Sequence, residues 1–135
     1  MFKTYQGSVY PWHCDQMGHM NVKFYTGKFD QANFQLFAML GLNREYFAGS
    51  PFGMAAVEQN TRYHKEIFPG ENIYIESTIE GLKEKVVTNL HTMIKTESGA
   101  VAATTKLVCV HYNRITKRSQ PFPHFVAQNF KTLYP

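Results

Sequence analysis

From Asn21 onward the chain reads with a helical period: Tyr25, Phe29, Ala32, Leu36 and Leu40 recur at spacings of three and four. Phe24, Phe34, Phe37 and Met39 widen the apolar arc. The spacing predicts a helix over 22–40, about 28 Å long. An arc this broad predicts a helix largely surrounded by protein rather than lying on its surface. Asn21 is the expected N-cap, because its short side chain can accept from the first free N–H groups, and Gly41 the expected stop.

Elsewhere the period is two. Residues 3–10 alternate in part and stop at Pro11, which predicts a first strand. After a loop from Arg44 to Phe52, Val57, Gln59, Thr61 and Tyr63 alternate with Glu58, Asn60, Arg62 and His64, and Pro69-Gly70 marks a turn. Ile73, Ile75, Ser77 and Ile79 form one face of the next strand. Two more strands follow, Val86 to Thr96 and Val101 to Asn113, with short breaks between them, so the last three strands are expected to pair as antiparallel neighbours. Pro121 and Pro123 end this region, and 124–131 predict a short terminal helix. One long helix with five antiparallel strands is an α+β layer architecture, the sheet wrapped round the helix. Its edge strands need protection, and pairing with a second copy predicts a homodimer or homotetramer.

The length of 135 residues predicts a single domain, 1–135, and no repeat or linker composition divides it. Hydrophobic residues at 44% and charged residues at 18% argue against disorder. No stretch approaches the roughly 20 apolar residues of a membrane helix, and MFKTYQGSVYPWHCD lacks the apolar core of a signal peptide. These features, with only Cys14 and Cys109 present, predict a soluble cytoplasmic protein with reduced thiols and no membrane partner. The net charge of +4 favours a polyanionic partner without naming one, and Arg114, Lys117 and Arg118 are its densest cluster. A nucleic-acid partner has no other support than this charge.

The densest polar cluster is His13-Cys14-Asp15-Gln16-Met17-Gly18-His19-Met20-Asn21, at the predicted helix start. A helix N-terminus carries free N–H groups and partial positive charge, so it can polarise a carbonyl oxygen. Asp15, six residues before the expected N-cap, with Gly18 allowing the loop to fold back, has the composition of a nucleophile or general base facing an oxyanion site. Cys14 beside His13 offers a second nucleophile, but adjacent side chains usually point apart, and His13, Cys14, Asp15 and His19 match no tight zinc spacing. His64, His91 and His111 read as satisfied sheet residues, and Glu58 reads as either a pocket residue or a solvent-facing one. The stripe Phe24, Phe29, Phe34, Phe37 reads first as core, with part of it available to an acyl pocket.

Asp15-x-x-Gly18-His19-x-Asn21, leading into a helix with Tyr25 and Phe29, resembles the motif of hot-dog-fold acyl-CoA thioesterases of the 4-hydroxybenzoyl-CoA thioesterase type. The strand–helix–four-strand order, Tyr63 followed by Pro69-Gly70-Glu71, the Ser98-Gly99 turn and the Arg118/Pro121/Pro123 segment extend the resemblance over nearly the whole chain. HCDQMGHMN is closest to a branch that includes thioesterases of short polar acyl groups such as betainyl-CoA. The resemblance implies hydrolysis of an acyl-CoA to a carboxylic acid and free CoA. Asp15 is the matching carboxylate, attacking the thioester or activating water, and Val22 aligns with the position whose backbone N–H receives the thioester oxygen. His19 and Asn21 shape the loop and orient substrate. Arg114, Lys117 and Arg118 are candidates for the CoA phosphates. The resemblance implies an active site at a subunit interface and no metal or redox cofactor. A non-catalytic acyl-CoA or acyl-carrier binding module of the same fold is the alternative, and a dehydratase of that fold fits the motif less well.

Overall fold

The computed structural model describes residues 1–135. Its helix α1 runs Val22–Met39, where the apolar period places it, and ends before Gly41. Gly41 has φ +88°, and a Cβ there meets the Phe125 ring at 2.8 Å, so both conformation and packing require glycine. Five strands follow the expected boundaries closely: β1 Phe2–Ser8, β2 Phe52–Tyr63, β3 Asn72–Leu82, β4 Val86–Lys95 and β5 Val101–Asn113. They form one antiparallel sheet in the order β1-β3-β4-β5-β2. Ile73, Ile75, Ser77 and Ile79 are all buried, confirming the inward face of β3.

Three features depart from expectation. Arg44–Ala48 is a short helix, α2, inside the stretch expected to be a loop; Asn43 caps it by accepting the Tyr46 N–H at 3.0 Å. The terminal helix, α3, extends from His124 to Leu133. Finally, α1 is not surrounded by its own chain. It buries Tyr25, Phe29, Ala32, Leu36 and Phe37 against the sheet, while Phe34 on the opposite side remains 62% exposed and Lys23, Thr26, Asp30, Gln31 and Gln35 face outward. One five-stranded sheet covers only one side of a helix cylinder.

Two apolar clusters hold the layers together. Phe29 and Tyr25 meet Ile73, Ile75 and Met93 under the first half of α1, and Leu36, Phe37 and Leu40 meet Val87, Leu107 and Val126 of α3 under the second. Phe29 is fully buried at the centre of the first cluster. Phe29→Ala is expected to cost about 3–5 kcal/mol, read as a lower urea midpoint, because the deleted ring leaves a cavity as well as lost apolar burial. A cost below about 1 kcal/mol would contradict this packing. No helix is long and apolar enough to cross a membrane.

Candidate active site

The segment between β1 and α1 folds back on itself. After a 3-10 turn at Pro11–His13, Cys14 and Met20 pair as an isolated antiparallel bridge, the Asp15 N–H donates to His19 O, and the Gly18 N–H donates to Asp15 O. Gly18 closes this turn at φ +86°, a conformation L side chains rarely adopt. Met20 is buried, and its N–H donates to Ile67 O at 2.7 Å, which anchors the loop to the core.

Asn21 joins this loop to the helix. Its Oδ1 accepts the Lys23 N–H at 3.1 Å as the expected N-cap, and its Nδ2 donates to Asp15 Oδ2 at 2.9 Å. The other carboxylate oxygen, Oδ1, accepts the Met17 N–H at 2.9 Å. The Asn21 amide, and after it the Met17 N–H, hold the Asp15 carboxyl below its ordinary value of 3.8. Lys23 and Phe24 give their N–H groups to Asn21. The Val22 N–H, first in the helix, has no intrahelical acceptor and sits at the positive end of the macrodipole.

A cavity of about 220 Å³ opens beside this helix start, lined among others by His19, Val22, Tyr25, Tyr63 and His64. The Tyr25 and Tyr63 rings meet edge to face at 5.0 Å, and the Tyr25 hydroxyl donates to Lys65 O at 3.4 Å. Burial pushes the Tyr25 phenol up to about 12, so it stays protonated as a donor. His19 Nε2 lies 3.8 Å from Glu66 Oε1 across the cavity mouth. Thus the end of β2, forty residues away in sequence, supplies walls that the motif alone does not reveal. His64, just past the end of β2, lines this cavity and is exposed, while its Nε2 lies 3.4 Å from Thr104 Oγ1 on β5, so it is a sheet-bonded histidine that also faces the cavity. His91 and His111 are satisfied sheet residues, each buried and hydrogen-bonded at both ring nitrogens. Glu58 is exposed on β2 and lines neither this cavity nor the one walled by Phe34 and Phe37.

Cys14 Sγ makes only a 3.7 Å contact with Tyr10 O, while His13 Nδ1 accepts the Tyr10 N–H, so the two do not form a nucleophile–base pair. No three His, Cys, Asp or Glu side chains converge as a metal-binding group. The basic cluster lies elsewhere. Arg114 donates to Phe47 O, Ser50 O and Phe52 O at 3.2, 2.6 and 3.1 Å, clamping the α2–β2 connection. It borders a cavity with Phe34 and Phe37, about 18 Å along α1 from Val22 at the helical rise. Lys117 and Arg118 are exposed in the turn after β5. Within one chain the structure therefore does not bring these cations to Asp15, and the Arg114 guanidinium is engaged structurally.

The comparisons with known proteins agree with this architecture. The chain is 25% identical to the betainyl-CoA thioesterase of Pseudomonas aeruginosa over 130 residues, covering 96% of this chain and 82% of that one. A hypothetical protein of Staphylococcus aureus, solved in complex with CoA, superposes with a TM-score of 0.91 at 21% identity, covering 98% of this chain and 84% of that one. A gentisyl-coenzyme A thioesterase superposes with a TM-score of 0.82 at 23% identity, covering 93% and 98%. The profile of the thioesterase-like superfamily matches residues 9–130, which spans the Asp15 loop, α1 and the whole of β2 to β5. A helix laid on a five-stranded antiparallel sheet is the hot-dog fold of these thioesterases, and this chain belongs to the thioesterase-like superfamily.

Proposed function

We propose that the Asp15 loop and the start of α1 hydrolyse an acyl-CoA thioester to a carboxylic acid and free CoA. The observation that carries this reading is the double role of Asn21, which caps α1 with one side-chain atom and holds the Asp15 carboxylate with the other. That link fixes a carboxylate beside a free helix N–H, a base or nucleophile next to an oxyanion donor. The Val22 N–H takes the thioester oxygen as it gains negative charge. The Asp15 carboxylate either adds to the carbonyl carbon, expelling the thiolate and leaving an anhydride for water to open, or removes a proton from the water that adds. Both routes run on groups the chain itself supplies. His19 and Asn21 shape the loop and orient the thioester.

The active unit in this proposal is a homodimer. β2 is an edge strand of 12 residues, with Val57 to Asn60 exposed and Val57 protruding as the extra residue between Ala56 and Glu58. Val57 on this strand and Phe34 on the uncovered side of α1 are exposed apolar side chains beside the unpaired backbone groups of the edge. Antiparallel pairing of β2 with its copy continues the sheet and sets the Phe52 end of one strand beside the Tyr63 end of the other. That arrangement carries the exposed Lys117 and Arg118 toward the partner's helix start, where CoA phosphates need cations. Val57→Lys is expected to yield a monomer in sedimentation, with turnover at least about tenfold lower at those concentrations. A fully active monomer would refute the interface. The reaction itself is tested by free-thiol release from a panel of acyl-CoAs, with Asp15→Asn as control.

A further inference from the structure

Five polar side chains cross the core beneath α1: Thr4 on β1, Ser77 on β3, His91 and Asn89 on β4, and Asn33 on the helix. All are nine-tenths or more buried. A core built only for stability gains little from such a set, and here Asn89 Oδ1 is buried with no partner at all.

The chain of bonds has one direction. Asn33 Oδ1 receives Asn89 Nδ2 at 2.8 Å and lies 3.1 Å from His91 Nε2. A carbonyl oxygen only accepts, so His91 Nε2 carries the ring proton. Burial pushes His91 down to about 4, so the ring is neutral and its Nδ1 is bare, accepting the Ser77 hydroxyl proton. Ser77 Oγ in turn accepts from Thr4 Oγ1 at 2.7 Å, and the longer 3.4 Å contact of Thr4 with Ile75 O shares the same proton. The amide of Asn33 is thereby fixed, with Oδ1 turned to Asn89 and His91 on β4 and Nδ2 to the β5 side. The only partner of that Nδ2 is Cys109 Sγ at 3.7 Å, a weak acceptor.

Asn33 and Cys109 both line a cavity of about 220 Å³ whose other walls include Phe34, Phe37, Phe52 and Met54. An oriented amide N–H with only a weak acceptor thus borders a largely apolar chamber, whose lining also includes Asp30 and the Arg114 side chain that clamps the α2–β2 connection. An apolar cavity of about 150 Å³ holds a benzene-sized molecule, so this one has room for a compact acyl group. In the β2-paired dimer, its Phe52 and Met54 wall faces the partner's helix start.

We propose that this cavity is the acyl pocket, and that Asn33, oriented through His91, Ser77 and Thr4, determines specificity by donating to an acceptor oxygen at the far end of a compact acyl group. The inference rests on the thioesterase reading above. A pocket with a buried donor penalises an acyl group that leaves the donor unpaired.

The test uses matched acyl-CoAs of equal heavy-atom count, 4-oxopentanoyl against 4-methylpentanoyl and 5-oxohexanoyl against 5-methylhexanoyl. The full-length protein is expected to favour the keto member of at least one pair by about tenfold or more in kcat/KM. Asn33→Leu brings that ratio to about one. Asn33→Asp, which keeps the shape but puts an acceptor where the donor was, does the same and serves if the Leu variant fails to fold. Ser77→Ala, two bonds back from the cavity, lowers the ratio as well, which a purely structural role for the network would not do. Equal handling of both members by the parent, or a keto preference that survives Asn33→Leu, overturns the proposal while leaving the thioesterase standing. Failure to hydrolyse any acyl-CoA overturns both, and is a distinct outcome.

Discussion

Replacing Asp15 by Asn is expected to lower turnover of the preferred acyl-CoA about a thousandfold while leaving the circular-dichroism spectrum and CoA binding intact. The two side chains have nearly the same size, and the amide oxygen of Asn can still accept the Met17 N–H that Asp15 Oδ1 accepts at 2.9 Å. What disappears is the ionised carboxylate, which alone can attack a thioester carbon or take a proton from water. The Asn21 amide and the Met17 N–H keep that carboxyl below 3.8, so Asp15 stays ionised and adds no pH dependence to kcat/KM above about pH 5. Asn21→Ala separates the two supports. It removes the helix cap, at about 1 kcal/mol of stability, and also frees the carboxylate, so it lowers kcat where an ordinary cap variant would not. Parental turnover in Asp15→Asn would remove Asp15 from the mechanism.

Acidification from pH 6.5 to 4 is expected to cost the fold about 3 kcal/mol through His91 alone. Burial lowers its folded value from 6.5 to about 4, so the unfolded chain takes up the proton first. The contribution is fully present above pH 6.5, declines below it, and is gone once the pH has fallen through about 4. The geometry explains the resistance of the folded ring to a second proton: Nδ1 is occupied accepting from Ser77, and the ring lies inside the core beside Phe29. His91→Gln keeps a donor and an acceptor but does not titrate. Urea midpoints at pH 7 and 4.5 are expected to converge in that variant and to differ widely in the parent. Equal pH dependence in both would place the titrating group elsewhere.

The parts of this molecule legible in the sequence are those governed by local spacing. The periods of α1 and of β3 to β5 survive because each element buries one continuous face, and the Asn21 cap and the Asp15 loop lie within seven residues of each other. Where the signal is interrupted or distant, the reading falls short. The extra residue at Val57 puts the two halves of β2 out of phase, which the alternation read from Val57 to His64 does not show. The five-residue α2 is too short to show a period, although Asn43 was available as a cap. The uncovered side of α1 is largely polar apart from Phe34, with Lys23, Thr26, Asp30, Gln31 and Gln35 exposed; the broad apolar arc counts Phe34 together with the buried stripe, and spacing alone does not say which flanking aromatics the sheet covers. Tyr63 and His64 reach the helix start, and Arg114 reaches the 47–52 carbonyls, only through pairings of about forty to seventy residues' separation.

An Asp15 carboxylate beside a free helix N–H should break a thioester rather than merely hold one. Free-thiol release from short polar, aromatic and long-chain acyl-CoAs, followed with a thiol reagent, tests it most directly. Steady turnover of a compact acyl-CoA is expected, with little of the long-chain ones. Saturable binding of CoA esters with no thiol released from any of them would contradict it and make the protein a binding module of the same fold.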